Sequence, residues 1–400
     1  MNRLDKLQKG IDCFLAVFLL VTIFAFGYKT ISESWEPLYN SARYLSRLKT
    51  YMPEDYDALD LLTARIRSVE DELNEVLWHK TELGYLNSTF QYSLGKNMIN
   101  TGSSEMITLP SGALYDLPAY VDTTHQTDEV LAFFDTLEVP HLFVFEHPTT
   151  YGDNQPQGDY ALLDKGAQMS DEIVSHLRQG GAAVLDSRDI LAGEDLSRIV
   201  MRTDQHWTYY AALRVARAVA AEIGLDASLL ETDQFEVRLY PRKFMGKYGQ
   251  KIGPGNIDPD DIEIFWPKYE TAITRTTVYD KNDAPYEISG EFKDSMIKWE
   301  YLYGDSWNIE AYKCYGLTEA LEHFHNENAP EKRILIFKDS YGAPVGHFLS
   351  LVASDVYLVD LRKSDYLANY YVDLYQPDLV IVSYSRQMLC ANLYDMMEGY

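Results

Sequence analysis

Cysteine is scarce, with three thiols in 400 residues, too few for a disulfide-stapled scaffold. Cys13 sits in an apolar N-terminal run, which leaves Cys314 and Cys390 as the one pair an oxidising compartment could bridge. Proline is sparing at 15, and no low-complexity tract or internal repeat interrupts the chain. Extensive disorder is thereby excluded. Positive charge is short as well, because 35 basic side chains face 61 acidic ones and leave the chain at -26. The first 29 residues are net +2, so the remainder stands at -28. Nucleic acid and anionic lipid surfaces are poor partners for a body of that sign.

What is present begins with an apolar segment. Arg3, Lys6 and Lys9 precede residues 13–27, where Thr22 is the only polar interruption. That charge order belongs to a segment inserted with its N-terminus inside. Counted from Ile11 to Tyr28, the span is close to the lower limit of about 17 residues for a transmembrane helix, with Asp12 at its inner edge. Ala25-Phe26-Gly27 also offers small residues where a signal peptidase would cut. Residues 1–29 are therefore read as a single-pass membrane anchor, or alternatively as a cleaved signal peptide of a secreted chain. Either reading places the rest outside the cytoplasm.

Leu59, Leu62, Ile66, Val69, Leu73, Val76, Lys80 and Leu83 alternate steps of three and four, the pattern of a helix with a narrow apolar seam. Residues 30–85 are read as a helical stalk, which either packs on its own chain or pairs two chains as a homodimeric coiled coil. Gly84 and the polar Asn87-Ser88-Thr89 then mark the start of a globular domain over 86–400.

In that domain short apolar runs alternate with helical patterns, which predicts an α/β fold of the flavodoxin-like kind, a parallel sheet with helices on both faces. The expected strands are residues 142–145, 182–185, 333–337, 356–359 and 379–382, and the expected helices are 171–178, 209–223, 343–352 and 366–375. Residues 235–305, rich in Tyr, Thr, Lys and Gly, read as an inserted β-rich lobe. Tyrosine is frequent at 31; most of these rings suit a core, and some suit stacking on sugar faces.

Four Asp-Ser pairs offer a nucleophile, at Ser187, Ser295, Ser306 and Ser340. A nucleophilic serine in an α/β hydrolytic fold stands where a buried strand turns sharply into a helix, with backbone N–H groups aimed at a developing oxyanion. Ser340 meets that requirement, since Ile334-Leu335-Ile336-Phe337 precedes the turn Lys338-Asp339-Ser340-Tyr341-Gly342 and an apolar helix follows. Ser306, in Gly304-Asp305-Ser306, superficially matches an esterase signature but has no comparable helix behind it. A base is then needed. His206 stands in Arg202-Thr203-Asp204-Gln205-His206-Trp207-Thr208, where a spacing of two can turn Asp204 and His206 to one side and Trp207 can wall the pocket. The same segment also reads as a helix N-terminus capped by Asp204 or Thr208, with a surface histidine. His323 and His325 suggest a metal only weakly, because no Cys or carboxylate spacing supports a site; they read as a solvated helix end.

Together the two motifs resemble the DHHW family of exported bacterial proteins, related to the SGNH-hydrolase-like acetyltransferases that O-acetylate alginate. The resemblance spans residues 86–400 and is strongest at 202–208 and across 334–362. It implies Ser340 as nucleophile, His206 as base and Asp204 as its orienting acid, with no metal and no cofactor. It departs at Gln205, where DHHW proteins usually carry His. By the same resemblance Trp207, Tyr341, Arg362 and Tyr384 are expected near the substrate. The implied activity is O-acetylation of a cell-surface or exported polysaccharide, with a multispanning membrane acyltransferase as acetyl donor; an acetylesterase or a noncatalytic glycan-binding scaffold are the alternatives.

Overall fold

The computed structural model describes residues 17, 20, 21, 24–32, 79–101, 104–146, 149–150, 152–280, 283–391 and 395–397. The chain divides into two compact units, residues 1–87 and 88–400. In the first, residues 24–32 are helical. Among the described residues no helix is long and apolar enough to cross a membrane. The anchor at 11–28 and the heptad seam at 59–83 fall largely outside the described residues.

Thirteen strands are described. Three short ones, β1 (Met98–Asn100), β2 (Glu105–Thr108) and β3 (Leu114–Asp116), form an antiparallel sheet. Then come β4 (His141–Glu146), β5 (Val184–Asp186), β6 (Phe235–Phe244), β7 (Asp260–Pro267), β8 (Ile273–Val278), β9 (Tyr286–Gly290), β10 (Leu321–Asn326), β11 (Arg333–Lys338), β12 (Asp355–Val359) and β13 (Leu379–Ser385). Eight of them build one mixed sheet in the order β5-β4-β13-β11-β12-β10-β8-β9. Its first five strands run parallel, and they are the five apolar runs expected from sequence.

Those runs are continuously apolar because both faces of the parallel half are covered. Leu142, Val144, Ile334, Ile336, Leu379 and Ile381 enter a core shared with the helices Tyr209–Glu222 and Gly342–Leu349. The residues between them, among them Phe143, Phe145, Leu335, Phe337, Val380 and Val382, enter a second core with the helices Thr124–Asp135 and Gly166–Gln179. The fold is thus α/β, with helices packed on both faces of the parallel half of the sheet.

Two expectations need correction, and the state of one cysteine pair is settled. Residues 321–326 form strand β10, not a helix end, and β10 continues the sheet antiparallel to β12. The sheet is mixed, because β8 and β9 from the expected lobe add to that same edge instead of standing apart. Only β6 and β7 form a separate two-stranded ribbon. Cys314 and Cys390 are free thiols: Cys314 is buried against Tyr209, whereas Cys390 lies beside Met169.

Candidate active site

The C-terminal ends of β4, β11 and β13 lie side by side, and there the sequence turns polar. Lys338 ends β11 fully buried, donating from Nζ to the carbonyls of Leu317 and Glu319 at 3.1 Å each, with the Asp360 carboxylate 3.9 Å away. Asp339 opens the turn. Its Oδ1 accepts from the Tyr341 N–H at 2.8 Å, while its Oδ2 accepts from the Ser385 N–H at 3.0 Å and the Ser385 hydroxyl at 2.5 Å. This one buried carboxyl therefore fastens the turn to the end of β13, and the helix Gly342–Leu349 starts two residues after Ser340. Glu146, the last residue of β4, accepts from the Ser383 hydroxyl at 2.6 Å. Burial, and then the neighbouring Asp339 carboxyl, push its pKa well above the ordinary glutamate range. A Cβ on Gly342 would stand 2.8 Å from Glu146 Oε1, so only glycine lets the turn lie this close to that acid.

Ser340 Oγ lies 2.8 Å from His206 Nε2, and His206 Nδ1 lies 2.5 Å from Asp204 Oδ1. Serine, imidazole and carboxylate form one chain of hydrogen bonds across 134 positions of sequence. The His206 side chain is 11% exposed, which sets aside the surface-histidine reading. Thr208 caps the following helix, accepting from the Ala211 N–H at 3.2 Å, so Asp204 is left to its neighbours. It also accepts from the N–H groups of His206 at 3.1 Å and Lys247 at 2.8 Å. Burial opposes its charge, yet His206 and these hydrogen bonds hold its pKa below the usual carboxylate value.

The inserted region builds this loop. Asp260, the first residue of β7, accepts from the N–H groups of Arg202 and Thr203 at 2.8 Å each and from the Thr203 hydroxyl at 2.6 Å. Gly246 donates to Thr203 Oγ1 at 2.8 Å, and a Cβ there would meet Asp204 Cβ at 2.3 Å. Two tyrosines clamp the histidine. Tyr341 and Tyr312 pack against its ring with centroids 4.8 and 5.1 Å away. Their hydroxyls donate to the carbonyls of Gln205 and Trp207 at 2.6 Å each. Burial raises the pKa of both phenols well above the ordinary value, so they stay neutral donors. The Gln205 carbonyl also accepts from Thr149 Oγ1 at 3.2 Å. Position 205, where the sequence departs from the DHHW pattern, is held through its backbone carbonyl.

Asp204, His206 and Ser340 are thus brought together, with Trp207 and Tyr341 beside them. Trp207 is buried edge-on to Tyr341, as part of the core under the site. Arg362 is locked onto Asp360 by two hydrogen bonds of 2.8 and 2.6 Å and remains partly exposed at 29%. Tyr384 is fully buried in the second core, which leaves no ring face for a substrate. Tyr312, Asp260, Gly246 and Glu146 escaped the sequence reading. A glutamate directly after an apolar strand was the one local signal, at Glu146.

With that geometry in place, comparison with known proteins becomes informative. Residues 147–323 match the family model described as the SGNH hydrolase-like domain of acetyltransferase AlgX. The matched stretch holds Asp204 and His206 and ends before Ser340. Among solved structures, a DHHW family protein from Eubacterium siraeum is similar at 16% identity and a TM-score of 0.56, over 74% of this chain and 94% of that one. Bacillus cereus PatB1, solved with a sulfonyl adduct, is similar at 15% identity and a TM-score of 0.58, over 74% and 99%. No curated protein matches the chain. The resemblance read from the two motifs, to DHHW and AlgX-like proteins, therefore holds.

Proposed function

We propose that this SGNH-like enzyme is an O-acetyltransferase that passes an acetyl group through Ser340 to a hydroxyl of an extracytoplasmic polysaccharide. The observation that carries the proposal is the chain Asp204–His206–Ser340 at 2.5 and 2.8 Å, set at the carboxyl ends of parallel strands, where α/β folds bind ligands. In the first half-reaction Ser340 Oγ attacks the carbonyl carbon of an acetyl ester, and its proton passes to His206 Nε2. Asp204 stabilises the imidazolium and keeps Nδ1 protonated. N–H groups at the amino end of the helix Gly342–Leu349 favour the oxyanion. Collapse breaks the ester C–O bond, His206 returns the proton to the departing oxygen, and acetyl-Ser340 remains. In the second half-reaction a sugar hydroxyl attacks that ester while His206 takes its proton; Ser340 leaves and receives the proton back.

A depression of about 660 Å³ beside β6, lined by Arg238, Tyr240, Lys243, Trp299, Tyr303 and Asp305, offers aromatic rings and charged groups suited to a glycan strand. On this reading residues 1–29 anchor the chain in the membrane, where a multispanning acyltransferase supplies the acetyl groups. The sulfonyl adduct of PatB1 suggests the probe. The full-length chain is treated with a sulfonyl fluoride and separately with an activated acetyl ester, with and without sugar acceptors. Expected are a single mass adduct on Ser340 and an acetyl group that leaves faster with acceptor present. Adducts elsewhere would overturn the site; hydrolysis indifferent to sugar would replace transfer with esterase activity.

A further inference from the structure

The opposite end of the sheet carries a second cluster of chemistry-bearing side chains. Successive residues of a strand alternate in face, so His323 and His325 on β10 share one face. His325 pairs directly with Asp355, the first residue of β12, and opposed residues share a face as well. Asp355 Oδ1 lies 2.9 Å from His323 Nε2 and 2.9 Å from His325 Nδ1. The three donor atoms fall within 4.8 Å of one another. The carboxylate missing from the local sequence around the histidines is thus supplied by a strand 30 residues further on.

The cluster is braced so that both ring nitrogens converge on Asp355 Oδ1. The His323 ring stacks on Tyr357 with centroids 4.2 Å apart and planes 8° from parallel. Ser354 Oγ donates to Asp355 Oδ2 at 2.8 Å, which turns Oδ1 toward the rings. Glu287 pairs with Thr276 and Thr276 with His323, so its side chain rises from the same face, and its charge acts on His323. A body at -28 concentrates cations at its surface.

We propose that His323, His325 and Asp355 bind one divalent transition-metal ion, zinc by the character of the donor set, with water in the fourth position. Imidazole and carboxylate donors at about 2.0–2.2 Å suit tetrahedral zinc, which spaces the donors by about 3.4 Å. To admit the ion the two rings part slightly from Asp355, and the proton that each ring nitrogen donates to Oδ1 moves to the other nitrogen of its ring or to solvent, freeing the lone pair that ligates. The ion would clip β10 to β12, the junction at which the sheet changes from parallel to antiparallel. Ser340 follows the far end of β11, so the ion takes no part in acyl transfer and adds to the fold instead.

The test uses the full-length chain, stripped with EDTA and titrated with zinc chloride by calorimetry, and in parallel with cobalt chloride under visible absorption. Expected are about one ion per chain, a rise in melting temperature on loading, and the visible bands of low-coordinate cobalt. His323→Ala, His325→Ala and Asp355→Asn should each weaken binding by at least about tenfold, and should remove the melting shift. His325 is exposed, so its loss leaves the fold in place. An unchanged titration in His325→Ala would mean scattered surface binding and overturn the site. Absence of the cobalt bands in the unsubstituted chain would overturn it without any variant.

Discussion

Ser340 and Ser306 both follow an aspartate in a turn, and the two turns could hardly be more different. Asp339 is buried and spends both oxygens on three donors from its own turn and from β13. Asp305 and Ser306 are exposed, and Ser306 contributes to the structure through its carbonyl, one of three that accept from the Lys243 ammonium. The same dipeptide serves one turn as a rigid pedestal and the other as loop surface. A candidate nucleophile is therefore distinguished by what fixes its backbone rather than by its immediate neighbours.

The sharpest way to break this contrast is to exchange the chemistry. Ser340→Ala should lower acyl turnover by roughly 10⁶-fold, and His206→Ala by as much, with the double variant no worse, because a base without its nucleophile has nothing to activate. Asp204→Asn should lose on the order of 10⁴-fold while leaving the adduct site intact, since the amide favours the wrong imidazole tautomer. Steady-state and single-turnover kinetics on an acetyl ester check all of these.

Next comes the pedestal. Asp339→Ala leaves three buried donors without an acceptor and should cost about 3 kcal/mol of stability, together with most activity. Denaturant unfolding measures the first part. If the variant unfolds like the parent, the turn is not held as described.

The pH prediction is subtler. Burial and the nearby Asp339 carboxyl raise the pKa of Glu146 in the fold well above the ordinary value of 4.5, whereas in the unfolded chain it ionises near that value. The folded state then holds more protons between the two values. Its contribution to stability is complete below about pH 4.5 and declines as pH rises toward the folded value. Glu146→Gln cannot ionise, so melting curves of the variant and the parent should diverge with rising pH, in the variant's favour. Parallel curves would mean Glu146 is charged in the fold. Smallest of all, Ser306→Ala should change stability by no more than about 0.5 kcal/mol and leave the sulfonyl adduct untouched.

The parallel half of the fold was legible because burial on both faces writes an uninterrupted apolar run, and each of the five runs became a strand. The antiparallel half was not. Leu321-Glu322-His323-Phe324-His325-Asn326 alternates, since its buried face carries Glu322, Phe324 and Asn326 and its other face the histidines. Two of those three buried residues are polar, and Glu322 is neutralised in the core by Arg275 on β8. A buried ion pair between strands erases the hydrophobic signal that would have revealed either one. The triad was readable for a related reason. Asp204 and His206 lie two residues apart, and Ser340 follows an unmistakable strand. The Tyr312 clamp joins residues more than 100 positions apart, with no local pattern to betray it. Position 205 is a middle case: only its backbone is used, so its side chain carries no information about the site.

β13, the last strand of the sheet, is inserted between β4 and β11, and it brings Ser383 and Ser385 to the acids that hold the nucleophile's turn. Time is therefore built into the architecture. While the chain emerges from amino to carboxyl end, Asp204, His206 and Ser340 are all present well before the pedestal can be fastened. Until residue 385 arrives, β4 and β11 have no common neighbour in the sheet, and the turn that carries Ser340 has no Ser385 to fasten it.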